Sequence, residues 1–210
     1  MQFQDLEIRY GNRKILSDLN LSIEPGDFVF VIGPSGSGKT SFIRTLVGEL
    51  APKKGKIITD DGKDLYAMSA KDLSLFRRKI GVVFQDFKLL ESRTVRENVA
   101  FAMEVSGYPD KLIERRIPEV LTDVNMLSKR DSFIPNLSGG EAQRIGIARA
   151  LIHNPDIIIG DEPTGNLDPE NAKEIMHIFE RLNREGKTII ISTHDSSLVD
   201  QMKKRVIAFE

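Results

Sequence analysis

Val29-Phe-Val-Ile-Gly-Pro-Ser-Gly-Ser-Gly-Lys-Thr-Ser41 is an apolar run that breaks into a glycine-dense turn, Gly33-x-x-x-x-Gly38-Lys39-Thr40. The β-rich stretch Phe28 to Ile32 precedes the turn and an amphipathic stretch, Thr40 to Leu50, comes after it. The pattern therefore stands in the strand–loop–helix context that a phosphate-binding loop requires. Glycines let the backbone approach phosphate oxygens and adopt positive φ. Successive N–H groups from Gly33, Pro34, Ser35, Gly36, Ser37 and Gly38 onward (proline excepted) then face an anion at the positive end of the helix dipole. Lys39 is placed to reach the β- and γ-phosphates and the Thr40 hydroxyl to ligate Mg²⁺, with the hydroxyl of Ser41 beside it. A glycine-rich turn without a ligand has no need of Lys-Thr at these two places. The sequence thus predicts a site for ATP and Mg²⁺.

Composition bounds what surrounds this loop. A chain of 210 residues makes one sizeable domain, or one domain with an inserted lobe. A domain of that size buries roughly 70% of its unfolded surface and needs no covalent staples. There is no cysteine, which excludes disulfides and thiolate metal sites and fits a reducing compartment. Thirty basic residues against 31 acidic ones give a net charge of −1, so no bulk basic field points to nucleic acid. The start, Met1-Gln-Phe-Gln-Asp-Leu-Glu7, has neither the basic opening nor the apolar stretch of a secretory leader. No apolar run approaches the ~20 residues that span a bilayer. The expectation is a soluble cytoplasmic protein whose membrane role, if it has one, runs through a partner.

Along the chain, residues 1–32 alternate short apolar runs with turns, as antiparallel strands do: Leu6 to Tyr10, Leu19 to Ile23, then Glu24-Pro25-Gly26-Asp27. Gly55 to Thr59 reads as a further strand, with its turn at Asp60-Asp61-Gly62. Ile80-Gly-Val-Val-Phe84 is short and wholly apolar, as a buried strand is. From Asp86 to Leu137 the texture changes to helical spacing with charged faces, over Thr94 to Val105 and Leu112 to Val124. From Ser138 the chain reads as a helix to His153, a strand Asp156 to Gly160, a helix Pro169 to Arg184 and a strand Thr188 to Ser192. The predicted fold class is α/β: a mostly parallel sheet core with an N-terminal antiparallel β subdomain and an inserted helical lobe. The expected division is residues 1–85 and 138–210 for the core and 86–137 for the lobe. In such sheets ligands sit at the carboxyl ends of the strands. The glycine loop, Gln85, Asp161 and His194 all come immediately after predicted strands.

Ile157-Ile-Ile-Gly-Asp-Glu-Pro163 is an apolar strand ending in two carboxylates. Neighbouring residues on an extended chain point opposite ways, so the two can hold different roles. Asp161 is expected to hold Mg²⁺ and Glu162 to polarise the attacking water. Leu137-Ser-Gly-Gly-Glu-x-Gln-Arg144 opens a helix. Ser138 with Glu141 three residues later makes a capping box. Two glycines beside a cap also make a second anion-binding helix start. One triphosphate cannot easily occupy two such starts in one small domain. A head-to-tail dimer resolves this, with Ser138, Gly139, Gly140 and Glu141 of one subunit closing on the nucleotide held by the other.

With these residues in place the chain resembles the ATP-binding subunits of ATP-binding-cassette (ABC) transporters, over essentially its whole length. Leu137 to Arg144 is similar to the family's signature sequence. The resemblance implies an ABC-type nucleotide-binding domain of the P-loop NTPase class, and with it further site residues. Gln85 corresponds to the Q-loop glutamine, a ligand of both nucleotide and Mg²⁺. Gly165-Asn-Leu-Asp168 corresponds to the D-loop, with Asp168 at the nucleotide. His194 corresponds to the switch histidine, catalytic with Glu162 and Lys39, and Tyr10 to the aromatic that stacks on adenine. Val82 to Leu90, Arg93 to Val99 and Asp161 to Asp168 are similar to the bacterial cell-division branch of the family. That likeness implies a polytopic, FtsX-like membrane subunit as partner at the cytoplasmic face of the plasma membrane. It also implies a homodimer sandwiching ATP, and coupling of ATP cycling to peptidoglycan remodelling. Lipoprotein-release and macrolide-export ATPases share Asp161 to Asp168 and are the alternative. Lys39-Thr40-Ser41 inverts the more usual Lys-Ser-Thr with both hydroxyls kept, and relatives often continue a little beyond the position of Glu210.

Other readings are weaker. Soluble ABC ATPases of translation or DNA repair carry two cassettes or a long coiled-coil insertion, and this chain has neither. A non-catalytic scaffold has no use for both Glu162 and His194. His153 and His177 are expected at helix ends or faces without chemistry. Phe76-Arg-Arg-Lys79 is expected to be a solvated helix face. Some of Phe87, Leu89 and Leu90 are expected to be exposed, forming a groove for a partner's helix.

Overall fold

The computed structural model describes residues 1–11 and 13–209, without the side chains of Tyr10 and Arg13. The adenine-stacking role expected of Tyr10 therefore lies outside the described residues. The chain opens with β1 (Gln2–Tyr10), β2 (Arg13–Ser22), β3 (Phe28–Ile32), α1 (Lys39–Leu46) and β4 (Lys54–Ile58). It continues through α2 (Ala70–Arg77), β5 (Ile80–Phe84), α3 (Val95–Glu104) and α4 (Asp110–Asp123). It closes with α5 (Gly139–Leu151), β6 (Ile157–Asp161), α6 (Pro169–Arg184), β7 (Thr188–Thr193), α7 (Ser196–Met202) and β8 (Arg205–Ala208). The first two strands and the fourth make a three-stranded antiparallel sheet in the order β2-β1-β4. The other five make a wholly parallel sheet in the order β5-β6-β7-β3-β8.

The central strands are nearly continuous apolar runs because both faces of the parallel sheet are covered. Alternate side chains go to opposite faces. Phe28, Phe30, Ile158, Ile189 and Ile191 join one hydrophobic cluster, which holds residues of α3, α4, α5 and α6. Val29, Val31, Ile157, Ile159 and Ile190 join the other, with Phe42 of α1 and Leu6, Ile8 and Ile57 of the antiparallel sheet. Residues 86–137 have no separate core: Val95, Val99, Ile117 and Leu121 pack in the same cluster as Ile145 of α5. The two ends of this segment are pinned together by a bridge between Thr94 and Phe133. Beside it, Val95 N–H donates to Ser132 O at 2.9 Å.

The register levels the carboxyl ends of four strands. Phe84 pairs with Asp161, Asp161 with Ser192, and Ile32 with Thr193. The loops leaving these strands therefore emerge along one sheet edge: Gln85 after β5, Glu162 after β6, His194 after β7 and Gly33 after β3. The expected charged face at Phe76–Lys79 is only partly solvated. Phe76 is buried, and the Arg77 guanidinium donates to Val47 O at 2.9 Å and Gly48 O at 3.1 Å, capping the end of α1. Among the described residues no helix is long and apolar enough to cross a membrane.

Candidate active site

The loop between β3 and α1 takes its shape from its glycines. Gly36 and Gly38 have φ of 81° and 103°, in the left-handed region that disfavours side chains. A Cβ on Gly38 would also stand 2.2 Å from Cγ2 of Ile15, and one on Gly33 would meet the buried Ser37 Oγ at 2.5 Å. With no side chains in the way, the loop closes around its own lysine. Lys39 Nζ donates to Gly33 O at 2.7 Å and Pro34 O at 3.2 Å, and its side chain is only 8% exposed. A cation is thereby held inside a ring of backbone at a helix N-terminus.

Above the loop lies an open cleft of about 510 Å³, whose walls include Gly36, Lys39, Thr40, Gln85, Glu162 and His194. Thr40 Oγ1 stands 3.4 Å from Asp161 Oδ1. A hydroxyl and a carboxylate at this spacing are oxygen ligands of the kind a hard divalent cation takes. Glu162 has φ of 50°, a left-handed conformation uncommon for a residue other than glycine. Its Oε2 is 2.8 Å from His194 Nδ1 and its Oε1 is 3.7 Å from Lys39 Nζ. The arrangement can receive a triphosphate on Lys39 and the loop amides while presenting one carboxylate to a water near the terminal phosphate. Gln85 lines the cleft, but its amide is engaged: Nε2 donates to Asn166 Oδ1 at 3.3 Å, and Asn166 Nδ2 donates back to Gln85 O at 3.1 Å. A Cβ on Gly165 would come within 2.9 Å of Gln85 Nε2, so that glycine makes room for the pairing.

Ser138, Gly139, Gly140, Glu141 and Asp168 are not brought into this cleft. They lie together at the N-termini of α5 and α6. Ser138 Oγ accepts from Glu141 N–H at 3.2 Å and Glu141 Oε2 accepts from Ser138 N–H at 2.9 Å, which completes the capping box. That backbone bond, with Lys129 3.2 Å away, holds the Glu141 carboxyl below the usual range. Asp168 caps α6 by accepting from Asn171 N–H at 3.0 Å and Glu170 N–H at 3.1 Å, and these bonds lower its pKa. The two caps touch: a Cβ on Gly140 would fall 1.9 Å from Asn171 Oδ1.

Three further residues support the site: Ser192 and Arg149, which sequence reasoning does not single out, and Gln143, which it places only within the signature stretch Leu137 to Arg144. Ser192, fully buried at the end of β7, bonds both carboxylate residues of the β6 end. Gln143, also fully buried, donates to Pro163 O at 2.5 Å and ties α5 to the turn after Glu162. Arg149 donates to Phe87 O at 2.8 Å and also to Lys88 O, where the chain makes two consecutive left-handed residues. The legible signals among the three are a serine closing an isoleucine strand and the place of Gln143 in the signature stretch.

The exposed patch expected after Gln85 is placed differently. Phe87, Leu89 and Leu90 are all half-buried, and Leu89 packs against the main core. The open apolar groove, of about 410 Å³, lies beside them and is lined by Val82, Phe84, Phe101, Val105 and His153 among others. Val105, at the end of α3, is 67% exposed. His153 is half-buried there, with Nε2 3.2 Å from Ala102 O and burial lowering its pKa.

A model of the ABC transporter family matches residues 16–165. The cell division ATP-binding protein FtsE of Bacillus subtilis (strain 168) is 50% identical over 197 residues, which are 94% of this chain and 86% of that protein. FtsE of Streptococcus pneumoniae serotype 2 (strain D39 / NCTC 7466) is 47% identical over 211 residues, 100% of this chain and 91% of that protein. Among solved structures, the dimeric post-hydrolysis state of the ATP-binding cassette MJ0796 bound to ADP and Pi superimposes with a TM-score of 0.86. It is 32% identical and is matched over 100% of this chain and 94% of that one.

Proposed function

The chain belongs to the ABC transporter family, among its cell division ATP-binding proteins, and is an ATPase of that type; we propose that two copies close around two Mg-ATP molecules and drive a polytopic, FtsX-like membrane partner. ATP cycling on the cytoplasmic face of the membrane would then regulate peptidoglycan remodelling through that partner. The observation that carries the catalytic half is the single sheet edge that gathers the Lys39 loop, Glu162 and His194 in one cleft while leaving Ser138–Gly140 outside it. A site that needs the signature helix has to receive it from a second copy. The dimeric MJ0796 cassette, bound to ADP and Pi, supports that reading.

In this mechanism Lys39 and the loop amides bind the β- and γ-phosphates. Thr40 and Asp161 would hold Mg²⁺, with Gln85 joining them once released from Asn166. When bound, the ion supplies neutralisation of charge between the phosphate oxygens. Glu162 orients a water and accepts its proton as the oxygen attacks the γ-phosphorus and ADP departs with the bridging oxygen. His194, 2.8 Å from Glu162, fixes the carboxylate's orientation. Ser138 and the N-terminal amides of the second copy's α5 exclude bulk water and bind the γ-phosphate.

The partner half rests on the apolar groove lined by Phe84, Phe101 and Val105. Val105→Asp places a charge on an exposed wall and leaves every cleft residue untouched. The expected result is wild-type ATP hydrolysis by the purified chain and loss of an integral membrane protein from affinity purification out of detergent-solubilised membranes. Recovery of that protein at the wild-type level refutes docking at this groove. Its identification by mass spectrometry decides between division and export.

A further inference from the structure

Ser192 is the next-to-last residue of β7 and has no accessible surface. Its neighbours Ile189, Ile190 and Ile191 are equally buried, and an apolar residue would suit the place by packing alone. Its hydroxyl instead joins the two acidic residues at the end of the adjacent strand. Ser192 Oγ donates to Asp161 Oδ1 at 2.7 Å and accepts from Glu162 N–H at 3.1 Å. A serine hydroxyl has one proton and an ionised carboxylate only accepts, so the direction of both bonds is fixed. Thr40 Oγ1 reaches the same Asp161 oxygen at the longer distance of 3.4 Å. Glu162 meanwhile sits at φ of 50°, a conformation that persists only where its surroundings hold it. The same N–H of Glu162 also meets Ser192 O at 3.1 Å.

We propose that Ser192 is a positioning residue for both carboxylates: its hydroxyl fixes the Asp161 group that ligates the divalent cation and holds the backbone from which Glu162 is presented. This rests on the reading of Asp161 as cation ligand and Glu162 as base. Outer partners of a ligating carboxylate orient it, and their loss typically costs about 10- to 100-fold in metal affinity or activity.

The test uses the full chain, Mn²⁺ as the paramagnetic probe and a non-hydrolysable ATP analogue. Mn²⁺ affinity is read by electron paramagnetic resonance, and kcat and KM for ATP are measured in parallel. Ser192→Ala is expected to weaken Mn²⁺ binding about tenfold and to lower kcat with little change in KM. Ser192→Thr, which keeps the hydroxyl, is expected to restore Mn²⁺ affinity. Ser192→Cys fills the same space with a weak donor and gives the comparison in case the alanine chain does not fold. Asp161→Asn is the control for the underlying reading. Wild-type Mn²⁺ affinity in Ser192→Ala or Ser192→Cys, with affinity lost in Asp161→Asn, overturns the role of Ser192 alone. Unchanged affinity in Asp161→Asn overturns the cation assignment, and this proposal with it.

Discussion

Replacing Glu162 with Gln should move two measurable quantities in opposite directions. The Glu162 carboxylate lies 3.7 Å from Lys39 Nζ, with side chains 15% and 8% exposed. Two unit charges at that separation attract by about 4 kcal/mol at an effective dielectric of 20. Dehydration of both groups offsets most of this, leaving a net pairing of about 1 kcal/mol, or roughly fivefold in an equilibrium constant. A triphosphate has to compete with Glu162 for Lys39, so the neutral amide should tighten ATP binding by about that factor. Turnover should fall, because the amide cannot take the proton from water. Loss of a general base costs about 10²- to 10⁴-fold, or roughly 3–5 kcal/mol on the barrier. Calorimetric titration with Mg-ATP and single-turnover hydrolysis measure the two terms separately, and size-exclusion chromatography should show an accumulated ATP-bound dimer. A variant that hydrolyses ATP within tenfold of wild type removes Glu162 from the chemistry. One that binds ATP more weakly than wild type removes the Lys39 pairing as the competitor.

Ser138→Arg and Lys39→Ala chains should each be inactive alone, and mixing them should restore part of the hydrolysis, because one of the two composite sites then has both elements intact. Full activity of Ser138→Arg by itself excludes action across a dimer. Gly140→Ala should lower the thermal midpoint by an amount corresponding to about 1–3 kcal/mol, since its Cβ would fall 1.9 Å from Asn171 Oδ1 on a side chain that also donates to Asp168 at 2.6 Å. Adding Asn171→Ala should recover much of the Gly140→Ala loss, and calorimetry that finds the two losses merely additive contradicts the clash.

The readability of the chain depends on the kind of signal each element carries. β3, β5, β6 and β7 are apolar runs that stop at Gly, Gln, Asp-Glu and Thr-His, and both the strands and their common edge can be read from that. The bounds of α6 coincide with the expected Pro169 to Arg184 because Asp168-Pro169 is a strong start, with the Asp168 side chain capping two N–H groups. β1 and β2 run further than their alternation suggests. Their pairing shifts register near Leu6 and Ile8, and Asp5 and Asp18 take left-handed φ of 50° and 55°. Each irregularity resets a period of two. α2 and α7, with eight and seven residues, are too short and polar to show a helical period. Leu89 carries the same letters whether it faces solvent or core, and only its packing against the main cluster decides. The partners of Ser192, Gln143 and Arg149 escape a reading of the sequence for one shared reason: each bond spans 20 to 62 residues to an atom whose position is set by tertiary packing.

The positions of those three bonds also bear on how the site communicates. α5 has thirteen residues and so is about 20 Å long. Its first turn carries Ser138 and the glycines outward, where a second chain's nucleotide would meet them. One turn on, Gln143 grips Pro163, the residue after Glu162. Near its end, Arg149 grips Phe87 O, two residues after the amide that lines the cleft. Ile145, Ile147 and Ala148 between them are fully buried, so this stretch of the helix is close-packed. Gln85 is held to Asn166, and Asn166 lies in the same turn as Pro163. Until it is released from Asn166, a movement of Gln85 would therefore bear on both anchor points of α5, on Pro163 through the shared turn and on Phe87 along the chain. The groove beside Val105 is formed partly by Ala150 and Arg149 of that helix. The cap that would face a second chain and the groove that would face a membrane partner are thus opposite ends of one helix, which is bonded through Gln143 to the turn after Glu162 and through Arg149 to the segment after Gln85.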